Sequence, residues 1–118
     1  MANVKELLGD LAKVEGVSAA VVVSRDGFVI EGHTQNGKFD SEAVGAVISA
    51  GIGSSQVMGN ELNVGQVSQM MIEYKGGMIL VNFLGENALL ATVSDLSANL
   101  GNVRYQVKKR SQAIEAAL

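Results

Sequence analysis

The chain has 118 residues, 47% of them hydrophobic, which suits one domain with a packed core and is short for two. Its net charge of −3 argues against nucleic acid or an anionic membrane as the main partner, because both require a basic field. Cysteine is absent, which excludes disulfides, a thiolate nucleophile and cysteine-based metal sites. No stretch approaches the ~20 apolar residues of a membrane span. We expect a single domain over residues 1–118 and a cytoplasmic location.

The hydrophobic periodicity predicts the element order α-β-β-α-β-β-β-α. Asn3 and Glu6 form a capping-box-like pair at the start of the first helix, and Gly16 ends it. Asp40 or Ser41 is expected to cap the second helix, and Ser94 or Asp95 the third. The buried stripe of the third helix is expected to consist of Leu96, Leu100, Val103, Val107, Ile114 and Leu118. The predicted strands are 17–24, 28–34, 67–74, 78–84 and 88–93, with a loop over 35–38 and a second helix that ends near Met58.

Strands 17–24, 78–84 and 88–93 are apolar on both faces, whereas 28–34 and 67–74 are mixed. In the first of these, alternation places Val17, Ala19, Val21 and Val23 on one face and Ala20 and Val22 on the other. Two-sided strands belong in the middle of a sheet and mixed ones at its edges. Tight turns join three strand pairs, which are therefore antiparallel neighbours. These patterns predict an α/β (α+β) fold with a five-stranded antiparallel sheet of order 2-1-5-4-3 and helices on both faces.

The second helix carries two apolar sets of residues. One set of mostly large side chains is expected to pack on the sheet: Val44, Val47, Ile48, Met58 and Leu62. The other set has a 3-4-3-4 spacing and mostly small side chains: Ala43, Ala46, Ala50, Gly53 and Val57. A helix that packs on a sheet buries one apolar stripe there, so a second apolar stripe is buried only if the helix has a second neighbour. We interpret the small set as a contact with the same helix of another copy; the alternative is that alanine is simply a good helix former.

Two further features favour a dimer. Gly45, Gly51 and Gly53 each cost ~1 kcal/mol relative to alanine inside a helix, which suggests a close backbone approach. The edge strand 67–74 contains Met70 and Ile72 but no proline or lysine, and an unprotected edge invites pairing with another chain. We therefore add these two residues to the predicted dimer interface. The alternative is that the polar residues of this strand protect it sufficiently.

Two segments carry a resemblance to a known family. The strand and turn Val21-Val22-Val23-Ser24-Arg25-Asp26-Gly27 and the closing Ala91-Thr92-Val93-Ser94, in this element order, resemble the Roadblock/dynein-light-chain family and its MglB-like branch. The resemblance implies a profilin-like fold, a homodimer with a continuous sheet and paired second helices, and a Ras-like or Rag-like small GTPase as partner. In the MglB-like branch it implies stimulation of GTP hydrolysis; other branches are scaffolds for GTPases or dynein subunits.

Several residues and motifs that are typical of enzyme sites lack the surrounding structure or partner residues that such sites need. Residues 51–55 contain the glycines of a phosphate loop, but inside a helix rather than at its start. His33 is the sole histidine, so a triad or zinc site lacks partners. Arg25 can act as an arginine finger, although a solvated turn arginine is the commoner role. We expect no catalytic residue, no cofactor and no metal. The basic run Arg104, Lys108, Lys109 and Arg110 suits an acidic partner or a solvated helix face.

The function that these patterns favour is a homodimeric GTPase-binding regulator rather than an enzyme. Its predicted contacts lie on the side of the second helix that the two apolar sets leave free: Glu42, Gly45, Ser49 and Gln56. A structural adaptor without effect on GTP hydrolysis is the alternative. A ligand-sensing domain is the third hypothesis. A polar-lined cavity beside the sheet would favour it, but the sequence shows no polar cluster that predicts one.

Overall fold

The computed structural model describes residues 2–37 and 40–118. It has the predicted element order, with one added 3-10 turn at Gln35–Gly37. The elements are α1 (Val4–Ala12), β1 (Val17–Ser24), β2 (Val29–Thr34), α2 (Ser41–Glu61), β3 (Gln69–Tyr74), β4 (Gly77–Leu84), β5 (Ala88–Asp95) and α3 (Leu100–Ala117). The predicted loop 35–38 begins as the 3-10 turn, and Lys38 lies outside the described residues. The helix α2 ends three residues later than predicted.

The five strands form one antiparallel sheet in the order β2-β1-β5-β4-β3, which confirms the predicted topology. Ala91 in the central strand β5 lies between Val21 of β1 and Val81 of β4. The three middle strands are largely buried, as their two apolar faces require. The mixed strands β2 and β3 lie at the two edges.

Helices cover both faces of the sheet. The helices α1 and α3 lie on one face, over a large cluster of buried residues that includes Leu8, Leu11, Leu80, Leu90, Val107 and Ile114. The helix α2 lies alone on the other face, over a smaller cluster: Ile48, Ile52, Val81, Leu89 and Ala91. The first helix begins as predicted, because the Asn3 side chain accepts a hydrogen bond from the Glu6 N–H at 2.9 Å.

The alternation predicted for β1 breaks at its first residue. Val17 was expected to share a face with Val21, but it packs in the α1 and α3 cluster beside Ala20 and Val22. The pairing of β1 with β5 shifts register between Val17 and Ala19. A bulge adds one residue to a strand and moves the preceding side chain to the other face. Alternation of residue types does not show such an insertion.

The start of α3 also differs from the prediction. Asn99 is the cap, because its side chain accepts a hydrogen bond from the Asn102 N–H at 2.9 Å. Asp95 instead ends β5 and accepts hydrogen bonds from the Ser97 N–H and hydroxyl. The predicted buried stripe is correct for Val103, Val107 and Ile114 and wrong for Leu96, Leu100 and Leu118, which are exposed. The stripe fails at its start because Leu96 precedes the helix.

The turn after α1 depends on glycine. Gly16 has a φ of +86°, a left-handed conformation that side chains disfavour. A Cβ at this position would also lie 2.5 Å from Ala98. The chain can therefore turn from α1 into β1 close beside the segment that leads into α3. The helix itself ends earlier, at Ala12 with Lys13 as its C-cap, so the prediction that Gly16 ends the helix is wrong. Gly16 shapes the turn that follows.

Candidate protein-interaction surface

The helix α2 contacts its own sheet through a narrow face. Ile48 and Ile52 are buried there, together with Gly45 and Gly59. These four positions are spaced by three, four and seven residues, which keeps them on one side of a helix. Ile52 was not among the residues predicted to face the sheet, although its spacing of four residues from Ile48 is the helical signal that indicates it.

The large residues predicted to face the sheet divide into two groups. Ile48 is buried and Val44 is partly buried against the same cluster, as predicted. The prediction is wrong for Val47, Met58 and Leu62, whose side chains are 66%, 58% and 71% exposed. Val47 lies about 100° around the helix from Ile48, which places it on a flank and not beneath the helix. Choosing the large apolar residues therefore assigned too wide a part of the helix surface to the contact with the sheet.

Gly45 fixes how closely α2 approaches the β1–β2 hairpin. A Cβ on this residue would lie 2.9 Å from Cγ2 of Val29 and 3.1 Å from the carbonyl oxygen of Gly27. The helix can approach this closely only without a side chain here. The prediction that Gly45 projects from a free side is therefore wrong, since it is buried against its own hairpin. The close backbone approach inferred from the glycines exists at this position within one chain.

Two other predicted partner contacts are engaged in the fold. The Ser49 hydroxyl donates a hydrogen bond of 2.8 Å to the Arg25 carbonyl. The Gln56 side chain accepts a hydrogen bond from the Val67 N–H at 3.1 Å and donates one to Asn60 at 2.9 Å. Both side chains are partly buried, so neither projects freely as predicted. Glu42, in contrast, is exposed in the first turn of α2.

The small-residue stripe faces away from the sheet. All five of its members are exposed: Ala43, Ala46, Ala50, Gly53 and Val57. Their spacing from Ile48 places them on the opposite side of the helix. A Cβ at Gly53 would meet no described atom within 4 Å. The second apolar set is thus a real surface of the single chain, available to another molecule.

One flank of α2 leads directly to the edge strand β3. A Cβ on Gly51 would lie 3.4 Å from Cε of Met70, and the Ser55 hydroxyl lies 3.3 Å from the Met70 sulfur. The exposed Val47 and Met58 lie on this same flank. Met70 itself is partly buried beneath the helix, whereas Ile72, the other predicted interface residue of this strand, is exposed. Within the described residues β3 pairs with β4 alone, so its outer edge is open.

Arg25 connects two turns of the sheet. Its guanidinium donates a hydrogen bond of 3.1 Å to the Glu86 carbonyl in the β4–β5 turn. It also lies 5.3 Å from the centroid of the Phe83 ring, within the range of a cation–π contact. The side chain is still exposed. Of the two roles that the sequence left open for Arg25, an arginine finger or a turn residue, the geometry favours the turn residue.

Comparison with known proteins identifies the family. The model of the Roadblock/LC7 domain matches residues 3–94. The chain belongs to the Roadblock/LC7 domain family. Three uncharacterized proteins of Methanocaldococcus jannaschii are 34%, 34% and 33% identical to it over 113 residues, which is 96% of this chain and 97%, 97% and 94% of theirs. This confirms the resemblance inferred from the strand–turn motif.

Solved structures of this family have the same fold. The Roadblock/LC7 domain from Streptomyces avermitilis superposes with a TM-score of 0.86 at 20% identity, covering 98% of this chain and 97% of that one. Myxococcus xanthus MglB gives 0.85 at 17% identity, covering 97% and 91%. The gliding protein MglB from Thermus thermophilus gives 0.86 at 21% identity, covering 97% and 87%.

Four further observations concern features that the sequence analysis raised for this Roadblock/LC7 chain. His33 is exposed on β2. Residues 51–55 lie in the interior of α2 and not at the start of a helix, where the glycines of a phosphate loop are found. Across residues 2–37 and 40–118, no three His, Cys, Asp or Glu residues are grouped so that they can hold a metal ion. In the same residues, no helix has the length and apolar character to cross a membrane.

A polar-lined cleft lies beside the sheet, which the sequence did not predict. It has a volume of about 520 Å³ and runs between α3 and the edge strand β3 with its neighbour β4. Its lining includes Gln69, Asn82, Arg104, Tyr105 and Lys108. Two cations of the basic run thus share a concave surface, a grouping visible only once the sheet places Asn82 opposite α3.

Proposed function

We propose that this Roadblock/LC7 domain is a homodimeric binding platform for a Ras-like small GTPase and has no active site of its own. The observation that carries the proposal is the apolar, small-residue stripe of α2, exposed opposite the sheet and adjacent to an open sheet edge. Monomeric proteins rarely leave such a surface bare, and exposed apolar patches typically mark interaction sites. Family membership supports the class of partner, because the family resemblance implies GTPases.

The open edge of β3 determines how two copies meet in this proposal. Two β3 strands that pair edge to edge give a continuous sheet and a symmetric dimer. The two α2 helices then lie side by side on the same face, and each presents the flank that faces β3. By helical geometry that flank is formed by five residues: Ala43, Val47, Ala50, Ser54 and Met58. Their spacing of four, three, four and four residues is that of a helix–helix seam.

This arrangement divides the small-residue stripe between two tasks. Ala43 and Ala50 border the flank and contact the twin helix. Ala46, Gly53 and Val57 remain on the outer surface, where two copies together form a wide, shallow apolar platform. The exposed Glu42 lies at one end of each helix and is the one predicted polar contact that the fold leaves free. The platform is where the GTPase docks.

The test is binding to a candidate GTPase, such as one encoded beside this gene, in its GTP-analogue and GDP forms. We expect calorimetry to detect a complex with the GTP-analogue form. Gly53→Glu places a charge on the platform, where the unbound chain has space for it, and should abolish binding without lowering stability. Ala113→Glu, an exposed change on α3, is the matched control and should leave binding intact.

Failure of the unmodified protein to bind either nucleotide form would contradict the proposal. So would a Gly53→Glu variant that binds as well as Ala113→Glu. Measuring GTP hydrolysis with and without the protein then separates an activator from a scaffold. A faster rate identifies an activating role, and an unchanged rate with intact binding identifies the adaptor alternative.

A further inference from the structure

The cleft between α3 and the strands β3 and β4 lies on the face of the sheet opposite α2. Its wall is one side of α3, from Gly101 to Ser111, and its floor includes Gln69, Leu80 and Asn82. We propose that this cleft binds an extended acidic segment of a partner protein. The binding is independent of the α2 platform, so both surfaces can be occupied at once.

The charge of the cleft is opposite to that of the whole protein. Residues 96–114 contain four of the nine Lys and Arg residues and no Asp or Glu, although the chain carries a net charge of −3. Two of these cations, Arg104 and Lys108, line the cleft, and no acidic residue is among its described lining. Neither cation forms an ion pair within residues 2–37 and 40–118. The local field therefore favours an anionic ligand.

The floor of the cleft contains an acceptor that the described chain leaves without a hydrogen bond. The Asn82 amide donates to Oε1 of Gln69 at 3.2 Å, but its own Oδ1 is buried and has no partner there. A buried acceptor without a donor costs free energy. Asn82 lines the cleft, so a rotation of its side chain on binding can present this oxygen to a peptide backbone N–H, a donor that a simple anion such as phosphate lacks.

The spacing of the two cations fits an extended chain. Arg104 and Lys108 are four residues apart on a helix, a rise of about 6 Å. Alternate residues of an extended segment are about 6.6 Å apart and point to the same side. Carboxylates at every second position can therefore meet both cations. The wall from Gly101 to Ser111 is about 15 Å long, which accommodates four or five extended residues.

The shape of the cleft favours a peptide over a small molecule. Arg104, Tyr105 and Lys108 are all exposed, so the wall is open to solvent along its length. Small-molecule sites usually enclose roughly 70–90% of their ligand. Tyr and Arg, each of which lines this wall once, are residue types enriched at protein–protein interfaces.

The experiment uses a labelled peptide of about nine residues with glutamate at alternate positions and threonine between them. Its binding to the full chain is followed by fluorescence anisotropy. We expect binding at low salt that weakens at an ionic strength of about 0.15 M, and none for the matched peptide with glutamine in place of glutamate. Equal binding of the glutamine peptide would overturn the proposal.

Three single variants place the peptide in the cleft. Arg104→Ala and Lys108→Ala should each weaken binding about three- to fivefold, the effect of losing one exposed ion pair. Lys109→Ala removes the same charge one residue away, outside the cleft lining, and should change binding less than about twofold. Equal losses in Lys108→Ala and Lys109→Ala would mean diffuse attraction to α3 and would overturn the assignment.

Two controls test the floor of the cleft and the class of ligand. Asn82→Leu removes the acceptor and should weaken peptide binding; unchanged affinity would contradict the placement. Inorganic phosphate at matched ionic strength should not displace the peptide. Displacement by phosphate would show a small-anion site and would overturn the peptide proposal. Because neither measurement involves a GTPase or the α2 surface, failure here leaves the proposed platform function untouched.

Discussion

The two faces of the sheet are covered unequally. Two helices, α1 and α3, bury one face over a cluster that contains thirteen buried residues: Leu8, Leu11, Val17, Ala20, Val22, Met78, Leu80, Leu84, Ala88, Leu90, Val103, Val107 and Ile114. A single helix covers the other face over five: Ile48, Ile52, Val81, Leu89 and Ala91. Large apolar residues are exposed on and beside that helix, including Val47 and Met58. One face thus provides much of the core of the chain, whereas the other leaves an apolar surface for a second molecule.

The largest expected effect comes from truncating the well-covered face. Leu90→Ala should lower the free energy of unfolding by about 3–5 kcal/mol, because Leu90 is fully buried within the larger cluster. Ile52→Ala, on the α2 face, should cost about 2–3 kcal/mol, since this residue sits at a less enclosed helix–sheet contact. Urea denaturation at a fixed protein concentration measures both. A larger loss for Ile52→Ala would contradict the unequal roles of the two faces.

The next effect concerns association of two copies. Ala50→Glu should weaken the dimer by about 2 kcal/mol or more, roughly 30-fold, because it buries a carboxylate between the paired helices. Ala113→Glu is the control for a glutamate on an exposed helix position and should leave the dimer intact. Light scattering over a range of concentrations reports the mass. A dimer that is unchanged in Ala50→Glu would refute the proposed helix contact.

The smallest effects compare two glycines of α2 and should have opposite signs. Gly45→Ala should destabilise by about 1 kcal/mol, since overpacking against Val29 and Gly27 exceeds the gain in helix propensity. Gly53→Ala should stabilise by up to about 1 kcal/mol, because the new methyl group meets no described atom. Thermal unfolding distinguishes the two. The same sign for both would mean that α2 does not approach the hairpin as described.

The topology could be predicted from the sequence because the residue pattern of each strand indicates whether it lies in the middle or at the edge of the sheet. Strands with two apolar faces and short glycine-containing turns allow few alternatives to the order 2-1-5-4-3. The start of α3 was missed because Ser94 and Asp95 have the residue types of a cap but serve β5 and the following turn. Local capping patterns do not show how far a strand continues.

The candidate surface was predicted in part. The spacing of Ala43, Ala50 and Val57 was sufficient to identify an exposed apolar stripe on α2. The assignment of Gly45 to a free side failed because a glycine gives no signal of which element it approaches. The cleft beneath α3 was not predicted, because it depends on the packing of Asn82 opposite Arg104. These two residues are far apart in the sequence, so no local pattern connects them.

The two edge strands, β2 and β3, provide the most direct test of the central claim that the α2 face and the β3 edge form a symmetric dimer. Amide hydrogen exchange in the unmodified protein compares them within one sample, since both are edges of the single chain. Pairing with a second copy should protect the amides of β3 and leave those at the outer edge of β2 fast. Equally fast exchange along both strands, at a concentration where dimers should form, would contradict the account.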